Sequence, residues 1–296
     1  MYATKVKHAI ERIPGLAENG ATIANAIHAI VLGSSDQLRK AVDILHGTWL
    51  GHPLHPVLTD IPIGAWTIAV MCDRVAAQRG SDEAAKMADT LTAIGVAAAL
   101  PTALAGVADY SAIDQSALSL GAAHGLLNSV GLILNALSIR DRAIGNRERG
   151  VFLSTIAFGA VSLSGWIGGE MVSNRKIGVN HAEDASGPKQ WQAALKSADL
   201  PEHAPKRVDV DGTPVLLYRN GRSVFAIGAV CSHAGGPLDE GTIKNNCVEC
   251  PWHNSVFDLR DGSVVHGPAT FPEPAYDARM RDGQIEVRLR PAGAGG

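Results

Sequence analysis

Three shortages shape the reading of this 296-residue chain: charge is missing from long stretches of its first half, aromatic residues make up only 5%, and there are four cysteines. Runs from Thr90 to Ala108, Ser116 to Ile139 and Val151 to Gly169 hold no Lys, Arg, Asp or Glu. A soluble helix of that length would show a charged face, so an ordinary soluble bundle is disfavoured. Cys72, Cys231, Cys247 and Cys250 are too few for a disulfide-stapled secreted module, which leaves the C-terminal three for metal chemistry. A basic excess is lacking too: the net charge is −3, which excludes nucleic acid as the expected partner. The start, MYATKVKHAIERIPG, has neither the apolar core nor the small-residue cleavage site of a signal peptide. Membrane insertion is therefore expected from internal helices.

What is abundant is apolar: 46% of residues are hydrophobic and 32 are glycine. With a first segment at Leu54 to Cys72, the three uncharged runs make four stretches near the ~20 residues a membrane-crossing helix needs. Asp60 interrupts the first, between Pro56 and Pro62; it faces either the bundle interior or the headgroup level near the helix start. Gly121/Gly125 and Gly165/Gly169 have the spacing that lets helix backbones approach. Upstream, Ile23, Ile27 and Ile30, then Leu38, Val42 and Leu45, recur at helical spacing, as in short amphipathic helices on a membrane surface or capping the bundle. Trp49 and Trp66 suit an interfacial belt or a core. Basic residues gather in the loops 73–89 and 140–149 and are absent from 109–115. The positive-inside rule then puts both termini and the C-terminal domain on the outer face of a bacterial cytoplasmic membrane, opposed by Arg39, Lys40, Arg175 and Lys176.

From Arg175 onward charge returns. Val179 to Lys196 reads as a linker with a short helix around Trp191. Beyond it, VDV, PVLLYR, SVFAIG, CVEC, SVFDL, SVVHG and IEVRLR are β-forming runs, punctuated by turns at Asp211-Gly212, Asn220-Gly221, Asp261-Gly262 and Asp282-Gly283. This is the pattern of a small antiparallel sandwich or barrel.

Two Cys-His pairs sit among those turns: Cys231-Ser232-His233 and, after sixteen intervening residues, Cys250-Pro251-Trp252-His253. Two thiolates and two imidazoles suit a [2Fe-2S] centre with a cysteine-held and a histidine-held iron. Zinc takes the same ligands, but its modules usually start from a Cys-x(2–4)-Cys knuckle. Here that would be Cys247 with Cys250, which strands Cys231 or a histidine.

CSHAGGPLDEG, CPWHNSVFDLRDG and VVHGPA, within residues 200 to 290, resemble a Rieske domain of the ferredoxin and aromatic-oxygenase-ferredoxin branch. The resemblance implies that Cys231 and Cys250 bind one iron and His233 and His253 the other, with the outer ring nitrogens near the surface. Rieske proteins of quinol-oxidising complexes carry an extra disulfide across the two loops; Gly236 and Trp252 stand at those places here. Ser255 matches the hydroxyl that can donate to a cluster sulfide, Asn254 replaces a usual glycine, Cys247 is expected to be a small buried residue and His266 a surface one. A reduction potential in the lower half of the Rieske range of about −150 to +300 mV is expected.

Residues 45–180 resemble an uncharacterised bacterial four-helix membrane domain marked by Gly51-His52-Pro53-Leu54-His55-Pro56, by His124 and by Gly168-Gly169-Glu170. His124, in an uncharged run, needs a polar partner. His52 or His55 could face it across a haem b iron; alternatively Asp60 or Asn128 bonds it.

The expected architecture is multi-domain: amphipathic N-terminal helices over 1–48, an all-α four-helix transmembrane bundle over 49–175, a linker over 176–198, an all-β Rieske domain over 199–291 and a flexible tail over 292–296. The expected function is a membrane-anchored electron carrier between a membrane or quinone-linked donor and a redox partner, rather than a complete enzyme. No residues after Arg290 are available for a mononuclear-iron oxygenase domain. A ferredoxin serving a separate oxygenase and a redox-sensing membrane protein are the rivals.

Overall fold

The computed structural model describes residues 2–33, 35–182 and 187–291; the expected tail at 292–296 lies outside them. Two compact units emerge, Met1–Gly33 with Leu54–Ile177, and Ser34–Pro53 with Gly178–Gly296. The second therefore takes up a stretch that precedes the long helices in sequence.

The first unit contains α1 (Tyr2–Glu11), α2 (Leu16–Leu32), α4 (Leu54–Arg79), α5 (Asp82–Ser111), α6 (Leu118–Ala143) and α7 (Arg147–Arg175). All four of α4 to α7 are long and apolar enough to cross a membrane. They overrun the uncharged stretches by a turn or more, so the connections 80–81 and 144–146 are much shorter than the sequence implied. Ser81 caps α5, its side chain accepting from Ala84 N at 3.2 Å.

Packing is inverted relative to a soluble bundle. Small side chains fill the interior, among them Ala65, Ala69, Ala88, Ala105 and Ala157, while Ile61, Ile68, Leu104, Leu126, Ile133 and Phe152 point outward. Close approach happens at Gly95, under the Trp66 ring, at Gly131 against Val161 and at Gly121 against Tyr110; Gly125, Gly165 and Gly169 face open space. Only one of the four spaced glycines is thus a packing contact. Trp66 is core, with Nε1 donating to Thr92 O at 3.3 Å. Asp60 is exposed in the second turn of α4, on the outer face and not in the interior. Pro62 leaves Leu58 O without its helical donor, and Thr102 Oγ1 lies 3.4 Å from it.

At one end of the bundle Arg142, its side chain 3% exposed, is saturated with acceptors. It donates to Asp73 Oδ1 (2.8 Å) and Oδ2 (2.5 Å), Asp89 Oδ1 (2.7 Å), Ser154 Oγ (2.9 Å) and Ser138 Oγ (3.0 Å). Arg147 bridges the same two aspartates. Two of the arginines counted as loop charge are therefore part of a partly buried ion network.

The second unit is built on a six-stranded antiparallel sheet in the order β1-β10-β9-β4-β3-β2: β1 (Gln192–Lys196), β2 (Lys206–Val210), β3 (Thr213–Asn220), β4 (Ser223–Gly228), β9 (Ala275–Arg281) and β10 (Gln284–Leu289). A four-stranded sheet joins β5 (Thr242–Lys244), β6 (Cys247–Glu249), β7 (Val256–Asp258) and β8 (Val264–His266) in sequence order. Alternation on β3 serves two cores, Val215 and Leu217 on one side and Leu216 and Tyr218 on the other. The Asp211-Gly212 and Asp282-Gly283 pairs have positive φ at both residues, the geometry of tight hairpin turns.

Two expectations fail here. Residues around Trp191 form no helix: β1 follows and pairs with β10, and the Trp191 ring lies 4.1 Å from the Arg279 guanidinium and 4.7 Å from that of Arg288. Strand structure thus begins inside the expected linker. And α3 (Asp36–His46), expected on a membrane surface or capping the bundle, belongs to the β unit and contacts β8. Its inward face is polar, Arg39, Asp43 and His46 one turn apart, while Leu38 stays 44% exposed. The earlier helix, α2, does cap the bundle, through Gly20 and Ala24 against α5 and α6.

Candidate metal centre

Both Cys-His loops spring from the four-stranded sheet and its junction with β4, and each turns back at once on its cysteine. In the first, Cys231 N donates to Gly236 O and Gly235 N to Cys231 O, both at 2.8 Å, with Gly235 at φ 80°. In the second, Cys250 N donates to Ser255 O at 2.8 Å and Asn254 N to Cys250 O at 3.1 Å, with Asn254 at φ 60°. Asparagine tolerates this left-handed turn, which explains how it fills a position suited to glycine.

These twin turns bring the four residues together as two pairs, thiol with thiol and imidazole with imidazole. Cys231 and Cys250 are 1% and 2% exposed and their sulfurs interact. A hydrogen bond from the Cys231 thiol, with the Trp252 and His253 amides behind it, pulls the Cys250 thiol down to about 7. The Cys231 thiol is pushed up by that bond to Cys250 and by burial. His233 and His253 are half-buried, their ring centroids 5.0 Å apart and their planes at 82°. Gly236 is required by this crowding, since a Cβ there would come within 2.9 Å of Cys250 Sγ and 3.2 Å of the Trp252 ring. A half-exposed Trp252 covers the position where a cross-link would otherwise run. Two adjoining thiols and two adjoining imidazoles form a donor set that suits a [2Fe-2S] cluster.

Support around the loops is dense. Ser255 is fully buried and its Oγ accepts from Ala269 N at 3.0 Å, leaving the hydroxyl proton to donate elsewhere. Glu273, which no sequence signal marked, is 3% exposed, and its Oε1 accepts from Ser232 N at 2.7 Å. Burial pushes its carboxyl up to about 8, against the lowering effect of the Ser232 hydrogen bonds. Ser232 Oγ donates to Phe271 O at 2.7 Å. His266 is not a free surface residue: its side chain is 16% exposed and Nδ1 lies 2.7 Å from Asp43 Oδ2. Cys247 is only half-buried, on the face of β6 opposite the buried Val248, so it is no core residue.

The histidines of the GHPLHP stretch part company. His52 belongs to the β unit, its ring edge-on to Phe271 at 6.4 Å. His55 meets His124, with ring centroids 6.1 Å apart and planes at 84°. His55 Nδ1 is 2.9 Å from Thr102 O and His124 Nδ1 is 2.9 Å from Ser164 O. Asn128 Nδ2, not Asp60, sits 3.0 Å from His124 Nε2, so an iron at that nitrogen would have to displace the amide.

Residues 190–277 match the Rieske [2Fe-2S] domain and residues 51–181 match the predicted membrane protein family DUF2231. Over 100 residues, 34% of this chain and 93% of the relative, the sequence is 33% identical to the anthranilate 1,2-dioxygenase ferredoxin subunit of Burkholderia cepacia. The chain belongs to the Rieske [2Fe-2S] family. Its Rieske domain is also 35% identical over 101 residues to the 3-phenylpropionate/cinnamic acid dioxygenase ferredoxin subunit of Escherichia coli K12, across 33% of this chain and 93% of that one. Among solved structures, the ferredoxin of carbazole 1,9a-dioxygenase from Nocardioides aromaticivorans IC177 is 34% identical to it, covering 34% of this chain and 99% of its own with a TM-score of 0.33. All three are ferredoxins of dioxygenases.

Proposed function

We propose that this chain is a membrane-anchored one-electron carrier whose Rieske domain holds a [2Fe-2S] cluster, Cys231 and Cys250 on one iron and His233 and His253 on the other. The observation that carries the reading is the convergence of two self-closing Cys-His loops on one buried sulfur pair and one half-exposed imidazole pair. When bound, such a cluster takes up and releases a single electron. Around it, Cys231 and Cys250 exclude water, and the partly exposed edges of His233 and His253 give a redox partner its point of approach.

The bundle supports anchoring in the lipid of a bacterial cytoplasmic membrane. Its large apolar side chains face outward and its small ones inward, the arrangement expected where the surrounding medium is hydrocarbon. Basic residues at the Arg142 end favour a cytoplasmic side for that end, with the Rieske domain on the outer face. The ferredoxin relatives favour a redox protein of oxygenase type as electron acceptor, and membrane insertion favours a quinol as donor. Haem b stays the lesser reading of His55 and His124, since Asn128 already occupies His124 Nε2.

Anaerobic EPR of the detergent-extracted protein after reduction by a short-chain quinol, compared with reduction by a soluble flavoprotein reductase, tests this. A rhombic Rieske signal appearing with the quinol supports the carrier as proposed. A signal that appears only with the flavoprotein moves the donor into solution. Zinc without acid-labile sulfide in the purified protein refutes the cluster.

A further inference from the structure

The β unit includes one helix that lies outside the Rieske match and ahead of the long helices in sequence: α3, within Ser34–Pro53. Three residues spaced along one side of it, Arg39, Asp43 and His46, meet both supports of the second Cys-His loop. Arg39 Nη2 donates to the carbonyl of Asn254 at 2.9 Å, the residue immediately after His253. The same nitrogen is 4.0 Å from Glu249 Oε2, and Glu249 Oε1 accepts from Asn254 Nδ2 at 2.7 Å. Arg39, Asn254 and Glu249 thus close a ring of contacts around a left-handed peptide that a glycine would leave unheld.

Four residues along the helix, Asp43 takes the opposite wall. Its Oδ1 accepts from Gly267 N at 2.9 Å and its Oδ2 meets His266 Nδ1 at 2.7 Å, while the His46 ring lies against Gly267. That wall continues through Ala269 N to Ser255 Oγ, and Ser255 O holds Cys250 N. The helix therefore grips the loop on both sides. The Arg39 side chain is 22% exposed, so water screens its charge only in part.

We propose that Arg39 is a positioning residue for the cluster: it fixes the His253-Asn254 peptide and, by placing a permanent positive charge against the loop that carries His253, raises the reduction potential. This rests on the ligand assignment proposed above. Reduction adds an electron to the site, and a nearby cation stabilises the more negative state. Guanidinium is the suitable group because it can donate to a carbonyl while staying charged at any pH the protein meets.

Spectroelectrochemical titration of the full-length protein, with EPR on the same samples, tests it using Arg39→Met and Arg39→Lys. The expected result is an unchanged Rieske signal in all three proteins, a lower potential in Arg39→Met, and recovery of most of that shift in Arg39→Lys. Identical potentials in wild type and Arg39→Met overturn the inference while leaving the cluster assignment standing. A shift in Arg39→Lys as large as in Arg39→Met also overturns it, because charge would then not be the agent. No Rieske signal in the wild type overturns the ligand assignment and this inference with it.

Discussion

The molecule contains two pairs of perpendicular histidines that look alike and are built for different ends. His55 and His124 meet at 6.1 Å and 84°, His233 and His253 at 5.0 Å and 82°. In the bundle, each ring is tied by Nδ1 to a carbonyl on another helix, and the next polar group is the Asn128 amide. In the β unit, the rings stand on self-closing loops beside two buried thiols. Imidazoles at a given spacing do not make a redox site; what lies next to them does. A bonded amide makes the first pair a brace between helices, and a sulfur pair makes the second a candidate for iron.

The sharpest way to break this comparison is to remove one member of each pair. His253→Ala is expected to abolish the rhombic EPR signal outright, whereas His124→Ala is expected to keep it and to lose about 1–3 kcal/mol of stability for the polar groups left behind, seen as a lower thermal midpoint in detergent. The optical spectrum of His124→Ala should equal that of the wild type. A Soret band in the wild type that disappears in this variant would make the bundle pair haem ligands and erase the distinction.

Next in size is the ion network at the far end of the bundle. Arg142→Met leaves Asp73, its side chain 4% exposed, with Arg147 alone among the described residues to offset it, and a loss of about 3–5 kcal/mol is expected. The fall in thermal midpoint should be confined to the helical unit, with the EPR signal of the folded fraction unchanged. Equal stability of variant and wild type would show that the network is ornamental.

A smaller effect sharpens the other side. Glu273 has its carboxyl raised to about 8 by burial, above its ordinary value of 4.5. Between those values the folded protein holds a proton that the unfolded chain has lost, so this group's contribution is complete below pH 4.5 and is lost as pH rises to about 8. Glu273→Gln keeps an acceptor for Ser232 N and should flatten that part of the stability profile of the Rieske domain. A profile that keeps its slope would assign the pH dependence to other groups.

How much of this was legible beforehand depended on whether the signal was local. The CSH and CPWH stretches, the Asp-Gly turns and the uncharged runs are each contained in a few consecutive residues, and each appears in the structure where the sequence put it. The strand after Trp191 was illegible because it exists through pairing with β10, some ninety residues on. The place of α3 was missed for a different reason. Its apolar spacing, Leu38, Val42 and Leu45, pointed to a membrane surface, yet its buried contacts are made by Arg39, Asp43 and His46, which periodicity counts as the solvent face. Glu273 carried no cue at all, since burial of a single carboxyl between prolines leaves no pattern in the chain.

The smallest expected effect concerns the third cysteine of the β unit, and it follows from strand alternation alone. On β6, Val248 points into the core and Cys250 continues that side into the site, so Cys247 and Glu249 lie on the other side. Cys247 Sγ rests 3.8 Å from Asn245 O, and burial keeps its thiol above the ordinary value, which disfavours the thiolate a metal would need. Cys247→Ser is accordingly expected to leave iron content, EPR signal and reduction potential as they are. In the folded, cluster-loaded protein a maleimide should modify Cys247 and spare Cys231 and Cys250. If serine at 247 emptied the site, β6 would have to be shifted by one residue and the pairing of thiols in this domain drawn again.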